Sequence, residues 1–513
     1  MPIDVSSFSD NEAMQLLGQY IDQAMDLGDA EMASSALNLC DEMGFRVNGA
    51  SEVELCYFRA NAWSVVRHAK HKDEAVVWLW DQEEILHEIY WLRYAVRHFS
   101  FGDLDSLRRG QILVNTANIL SHIGRPIEAI EYWQRALSIV PRFGMALGNL
   151  GLGYEFYAKL LYDTGHAVII LKSAYDLLAG TKEKGVIWDN PGFQLVQQKM
   201  LGRASLISRH IDIGKVESVS LDGFPLGKTK TEEKYRQWVL DNALFVNPLN
   251  DIGSYSIAAQ DILHLPDMVT NIGEPPSLIG FYNQLKQEFV SARYTLWQGM
   301  LAAVDYKRHF SDNDITLSNT LDYPIYGVAI EQIKLAFRST YSLFDKIAFF
   351  INEYWDLGVP AERVSFHSVW IEKKGKKKRL RHELLKNPNL CLRGLYWLSK
   401  EFSDKEKDQA VSLGSVMEPD ADKLRTIRNH LEHKYLKVHD DIWDACKEYE
   451  IPPFSDKLAY HLTLTELTDK TLRLMRRARE ALIYLSLAVH QEEKIRAENR
   501  TGMTMPMTLP RWE

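Results

Sequence analysis

From Ile333 onward the apolar residues Phe337, Tyr341, Phe344, Ala348 and Ile351 follow at steps of four, four, three, four and three. That spacing lays them along one stripe of a helix and on no single face of a strand, so it predicts a long amphipathic α-helix. The same period recurs. Leu424, Ile427, Leu431 and Tyr435 predict a second stripe after Pro419, with Asp420 or Asp422 as its cap. Leu472, Met475, Ala478, Leu482 and Leu485 predict a third, opened by the capping box Thr463-Leu464-Thr465-Glu466. A fourth is expected after Asn387-Pro388, through Leu392, Leu395 and Leu398. Runs of period two are scarce. The expected fold class is therefore all-α, with no sheet beyond incidental strands, and these four helices make a C-terminal bundle over residues 321–500 followed by a tail at 501–513.

The first 214 residues read as short helices separated by turns. Gly110 to Phe143 carries small Ala117 where two helices must approach closely, then Ala129, Trp133 and Ala136 along the second helix, and Pro141 to close the unit. This spacing resembles a tetratricopeptide repeat, and Leu147, Leu150, Gly151, Tyr154, Ala167, Leu171 and Ala174 carry a looser second copy. Stacked helix hairpins leave a concave surface, which is expected to receive a protein or ligand trigger. Residues 215–320 differ in texture. Turn-forming clusters at Leu221–Gly227, Asn247–Asp251 and Glu274-Pro275-Pro276 predict a connector with helices of its own. Asp261 and His264 fall in it without a third ligand at zinc-like spacing, so a structural histidine is expected there.

Composition narrows the functional class. In 513 residues, 46% hydrophobic and 25% charged, the four cysteines Cys40, Cys56, Cys391 and Cys446 form no C-x-x-C pair. That speaks against a zinc ribbon or a disulfide framework, and a reducing cytoplasm is the expected location. The N-terminus shows no secretory pattern, and no apolar run is long enough to span a bilayer, so no membrane role is expected. No G-x-x-x-x-G-K-[ST] loop or metal cluster is visible, and no cofactor is expected. The net charge of −9 does not announce a nucleic-acid binder, yet Lys373, Lys374, Lys376, Lys377, Lys378, Arg379 and Arg381 crowd seven positive side chains around Gly375. Such a loop meets a phosphate backbone locally, or is simply a solvated connection between helices.

The chemistry concentrates in Arg428-Asn429-His430-Leu431-Glu432-His433-Lys434-Tyr435. An imidazole exchanges a proton near neutral pH, and a guanidinium holds a phosphate as charge builds on it. Arg428 and His433 stand five apart, and Arg425 with His430 makes a second pair of the same spacing. On an ideal helix Arg425, Asn429 and His433 share one row, continued by Lys437, while Arg428 points about 140° away from His433.

Arg428-Asn429, His433 and then Tyr435, on a helix of an all-α bundle, resemble the HEPN superfamily of ribonucleases and toxins. The resemblance implies a metal-independent endoribonuclease that works as a homodimer, with two motifs facing across a cleft. His433 would be the general acid–base, Arg428 the phosphate ligand and Asn429 the residue that orients them. Tyr435 and Arg425 are secondary candidates. The implied partner is RNA, with transfer and messenger RNA both open, and the basic run at 373–381 would help to hold it. The expected role is a toxin-like or anti-phage effector whose repeats act as sensor. The alternative is a non-catalytic helical scaffold whose bundle binds RNA or dimerises without cutting.

Overall fold

A computed structural model describes residues 7–189, 192–304, 308–374, 377–385, 387–402, 421–441 and 456–510. The chain is mostly helical, at 68%. Its first half is a run of paired helices. Asp10–Leu27 packs on Ala30–Met43, Gly49–Lys70 on Glu83–Arg97, Ser106–His122 on Pro126–Ile139, and Gly144–Leu160 on Thr164–Gly180. Local signals set these boundaries. Ser9 and Glu12 close a capping box before the first helix, Gly28 ends it at φ +62°, and Asp29 caps the second. Pro126 opens its helix at the first turn, where its missing N–H costs nothing. Ala117, Ala129 and Ala136 are fully buried between helices. Gly153 is required beside Trp133, because a Cβ there would lie 2.3 Å from the indole.

In the middle of the chain Asp261 accepts two hydrogen bonds from Arg293, at 2.9 and 2.8 Å, and one from the Val246 N–H. His264 Nδ1 lies against the Leu265 carbonyl. Both side chains are thus engaged within the fold, which agrees with a structural histidine at this place. The helix Ser277–Val304 then packs along Val328–Tyr354, which in turn packs on the long helix Leu464–Asn499. Ile333, Phe337, Phe344, Ala348 and Ile351 are buried in that contact, and so are Met475, Ala478, Leu482 and Leu485 of the long helix. Leu390–Ser399 and Ala421–His433 are further helices of this C-terminal region.

Two short sheets, each of two four-residue strands, are the incidental strands that the all-α expectation allows. Ile371–Lys374 and Lys377–Leu380 pair antiparallel, so the basic run is a β-hairpin and not a loop between helices. Its Leu380 is buried against the core, which pins the hairpin to the protein. Leu436–His439 and Tyr460–Thr463 pair parallel, with Lys437 opposite His461. This pair corrects the C-terminal end of the motif helix. The helix predicted to run through Tyr435 and Lys437 stops at His433, because Leu436 and Val438 turn into a buried strand whose backbone bonds a distant partner. Tyr435 stands exposed in the turn, and Lys437 is buried in the strand instead of continuing the row of Asn429 and His433. Asp420 and Cys446 lie outside the described residues. Among those described, Thr463 caps the long helix by accepting from the Glu466 N–H, while Cys40, Cys56 and Cys391 are buried free thiols.

The two halves meet along a tight seam. Gly124, at φ +90°, and Gly394 approach so closely that a Cβ on Gly394 would lie 2.0 Å from the Gly124 carbonyl oxygen. Trp80 tucks beside Tyr396 and donates from its indole to the Asn387 carbonyl at 3.0 Å. Behind them lies a buried ionic cluster. Arg93 bonds Glu128 at 2.7 Å and Glu401 at 2.8 Å; Arg125 bonds Glu128 and Glu401; Arg477 bonds Glu128 at 2.9 Å and Glu480 at 2.5 Å. Burial opposes the charge on Glu401, but Arg125 and Arg93 prevail and hold its carboxyl far below the ordinary range. Burial prevails at Glu480, where Arg477 opposes it and Glu128 adds to it, and the carboxyl is pushed up to about 7.

Candidate active site on the motif helix

Ala421–His433 binds the domain through Leu424, Ile427 and Leu431, all buried, against the helix Val328–Tyr354. Two further contacts fix its pose. Lys423 reaches Glu466 on the long helix at 3.4 Å, and Arg338 donates to the Leu431 carbonyl at the last turn. A guanidinium at that end also suits the negative pole of the helix. Neither Arg338 nor its role is visible in the sequence, because nothing local connects residue 338 to 431.

The candidate chemistry is split around the helix: Arg428 flanks the buried stripe, toward Tyr341, and His433 lies on the far side. Arg428 is partly buried, donates to Asn429 Oδ1 at 3.1 Å, and lies 5.6 Å from the centre of the Tyr341 ring. That ring and amide hold the guanidinium in one place. Asn429 is thereby a hydrogen-bond acceptor for Arg428. His433 is exposed, and no hydrogen bond or ion pair engages it among the described residues. His430 differs. Its Nδ1 lies 2.8 Å from the Thr426 carbonyl, which can only accept, so the proton sits on that nitrogen, and its ring packs against Tyr460 at 5.2 Å. Of the two Arg-x4-His pairs, then, Arg425 with His430 has its imidazole tied to the helix, and Arg428 with His433 has its imidazole open to solvent.

Arg425, Asn429 and His433 lie on one row, as an unbroken helix requires, and Arg428 remains turned about 140° from His433. Within one copy the arginine and histidine do not converge on a common point. Tyr435, just past the helix, is within hydrogen-bonding reach of Tyr326, and the Lys437 ammonium lies 5.4 Å from its ring centre.

The basic residues divide. Arg379 pairs with Glu372 across the hairpin at 2.6 Å. Arg381 donates to the Val369 carbonyl at 2.8 Å and to the Leu357 carbonyl at 3.1 Å, so it braces the hairpin base. Lys376 lies outside the described residues, as do the side chains of Lys373, Lys374, Lys377 and Lys378. One cluster escapes sequence reading altogether: Asp322, His439 and His461 bring one ligand atom each to within 4.8 Å of one another. They come from three separate segments, so no spacing rule finds them.

No helix among the described residues is long and apolar enough to cross a membrane. Compared with protein-family models, residues 269–492 match the family described as LA2681-like HEPN. The match takes in the helix Ser277–Val304 as well as the motif helix and the long helix as far as residue 492. No curated protein and no solved structure matches the chain.

Proposed function

Since residues 269–492 form an LA2681-like HEPN domain preceded by a helical region of paired helices, we propose that the chain is a metal-independent endoribonuclease whose working groups are His433, Arg428 and Asn429. HEPN domains are often associated with ribonuclease activity and generally bind RNA. The observation that carries the reading is the contrast on one helix: His430 is bound to its own backbone, while His433 stands open on a helix whose Arg428 is already held in position.

Neutral His433 takes the proton of a ribose 2′-hydroxyl. The oxygen attacks the adjacent phosphorus, the bond to the 5′-oxygen breaks, and an imidazolium returns a proton to that leaving oxygen. Arg428 holds the non-bridging oxygens as negative charge builds on them. The products are a 2′,3′-cyclic phosphate and a 5′-hydroxyl. A single 2′-deoxy nucleotide at the cut site is expected to block the reaction, because it removes the nucleophile. Gel analysis of matched oligonucleotides checks this. Cleavage of the deoxy substrate, or cleavage that appears only on adding magnesium, overturns the mechanism.

The divergence of Arg428 and His433 within one helix favours a site completed by a second copy, with each motif supplying what the other lacks. Homodimers bury the same patch on both subunits. Light scattering is expected to give twice the 59.1 kDa chain mass, and a monomer that persists with RNA present sinks the composite site. A defence or toxin role with the repeats as sensor is consistent with this arrangement.

A further inference from the structure

We propose that Asp322, His439 and His461 bind one divalent transition-metal ion of the zinc class, which clamps the strand leaving the motif helix to the strand entering the long helix. The site would be structural, and it is independent of the ribonuclease reading.

Backbone pairing assembles it. The parallel register sets Lys437 opposite His461, and His439 lies two residues beyond Lys437 on the same face of its strand. The other face carries Leu436 and Val438 into the core. Asp322 arrives from the segment before the helix Val328–Tyr354, which is fixed to the strand by the Ile325 N–H donating to the Val438 carbonyl at 2.7 Å. The polar face is nearly as buried as the apolar one: Asp322 is 1% exposed, Lys437 2% and His439 1%. Polar groups so placed must be satisfied by each other or by a ligand.

Hydrogen bonds orient the donors inward. His461 Nε2 lies 2.8 Å from the Asp456 carbonyl, which can only accept, so the proton sits on Nε2. Its Nδ1 lone pair therefore faces His439 Nε2, at 2.8 Å. Two imidazole nitrogens at that separation need a proton or a cation between them. Asp322 is held in turn: Lys437 donates to its Oδ2 at 2.5 Å, and the Thr320 hydroxyl donates to its Oδ1. A ligating imidazole whose far N–H is anchored on a carbonyl, beside a carboxylate anchored by donors, is the outer arrangement that metal sites use.

Charge and size agree. Asp322 and Asp456 carry two negative charges near the single ammonium of Lys437, which contacts both. With neutral imidazoles the pocket is net negative and a divalent cation offsets it. Two nitrogens and one carboxylate oxygen suit zinc, and ligand bonds of about 2.0–2.2 Å require the rings to part by only about half an ångström. The fourth position would fall to water on the partly exposed His461 side.

The test titrates zinc alone into full-length protein stripped with EDTA and dialysed, against a chromophoric competitor. One equivalent is expected to bind and to raise the thermal midpoint. His461→Gln should weaken binding by about 100-fold or more, since even outer partners of a ligand are worth about 10–100-fold. His433→Ala should bind zinc as the wild type does, which separates this site from the ribonuclease reading. If His461→Gln does not fold, cobalt added to the wild type gives the answer, because a tetrahedral site yields intense visible absorption and a hydrated surface ion does not. Absence of stoichiometric binding, equal affinity in a folded His461→Gln, or a hydrated cobalt spectrum overturns the proposal.

Discussion

His433→Ala is expected to abolish RNA cleavage while the protein keeps its circular dichroism and thermal midpoint. Proton transfer by a positioned side chain is worth about 10²–10⁴-fold, so residual activity should fall by at least that much. Stability should hold because His433 is exposed on the last turn, and its truncation opens no cavity in the stripe of Leu424, Ile427 and Leu431. Arg428→Ala should cut the rate by about 10²–10³-fold through lost charge stabilisation, with a small cost to folding, because its guanidinium packs near Tyr341. Arg425→Ala is the internal control. A smaller loss than that of Arg428→Ala leaves the phosphate role where we propose it, and a larger one moves the role to Arg425. A folded His433→Ala with wild-type cleavage would end the assignment.

The second large effect concerns folding. Glu401→Ala is expected to destabilise the protein by about 3–5 kcal/mol, the usual consequence of removing one partner from a buried ionic group. It leaves Arg93 and Arg125, both fully buried, with only Glu128 of the two carboxylates they share. Chemical denaturation of wild type and variant measures the difference, and a loss under about 1 kcal/mol would mean that the cluster relaxes around the gap. The pH dependence has two opposed parts. Glu401 has a lowered pKa in the fold, so its contribution is present above the ordinary carboxylate range and is lost only as pH falls through that lowered value. Glu480 is raised to about 7, so its contribution is present in acid and fades as pH climbs through that value. Glu480→Gln should therefore remove part of the decline in thermal midpoint between mildly acid and mildly alkaline pH.

Much of the helical frame is legible from local period. The stripe from Ile333 to Ile351 and the cap at Thr463 both stand where spacing places them. Legibility fails where partners are remote. Leu431 and Tyr435 sit four apart and read as one helical stripe, but Leu436 to His439 follows a strand whose partner begins at Tyr460. The seam is equally hidden, since its charges span Arg93 to Glu480 and no short-range pattern pairs them. In the site, residue types and order mark Arg428, Asn429 and His433 as candidates. The structure adds a physical difference between His433 and His430 that the sequence does not carry, one hydrogen bond to the Thr426 carbonyl.

The glycine-on-glycine contact between residues 124 and 394 bears on how the molecule can be handled in the laboratory. A fragment cut to the matched segment, 269–492, would leave Glu401 and Arg477 facing water without Arg93, Arg125 and Glu128, and would strip Trp80 from beside Tyr396. The border of a family match is thus not a border of folding here. The whole chain is the sensible unit for expression, and inserted tags or linkers belong at the exposed residues 501–510 instead of between the halves.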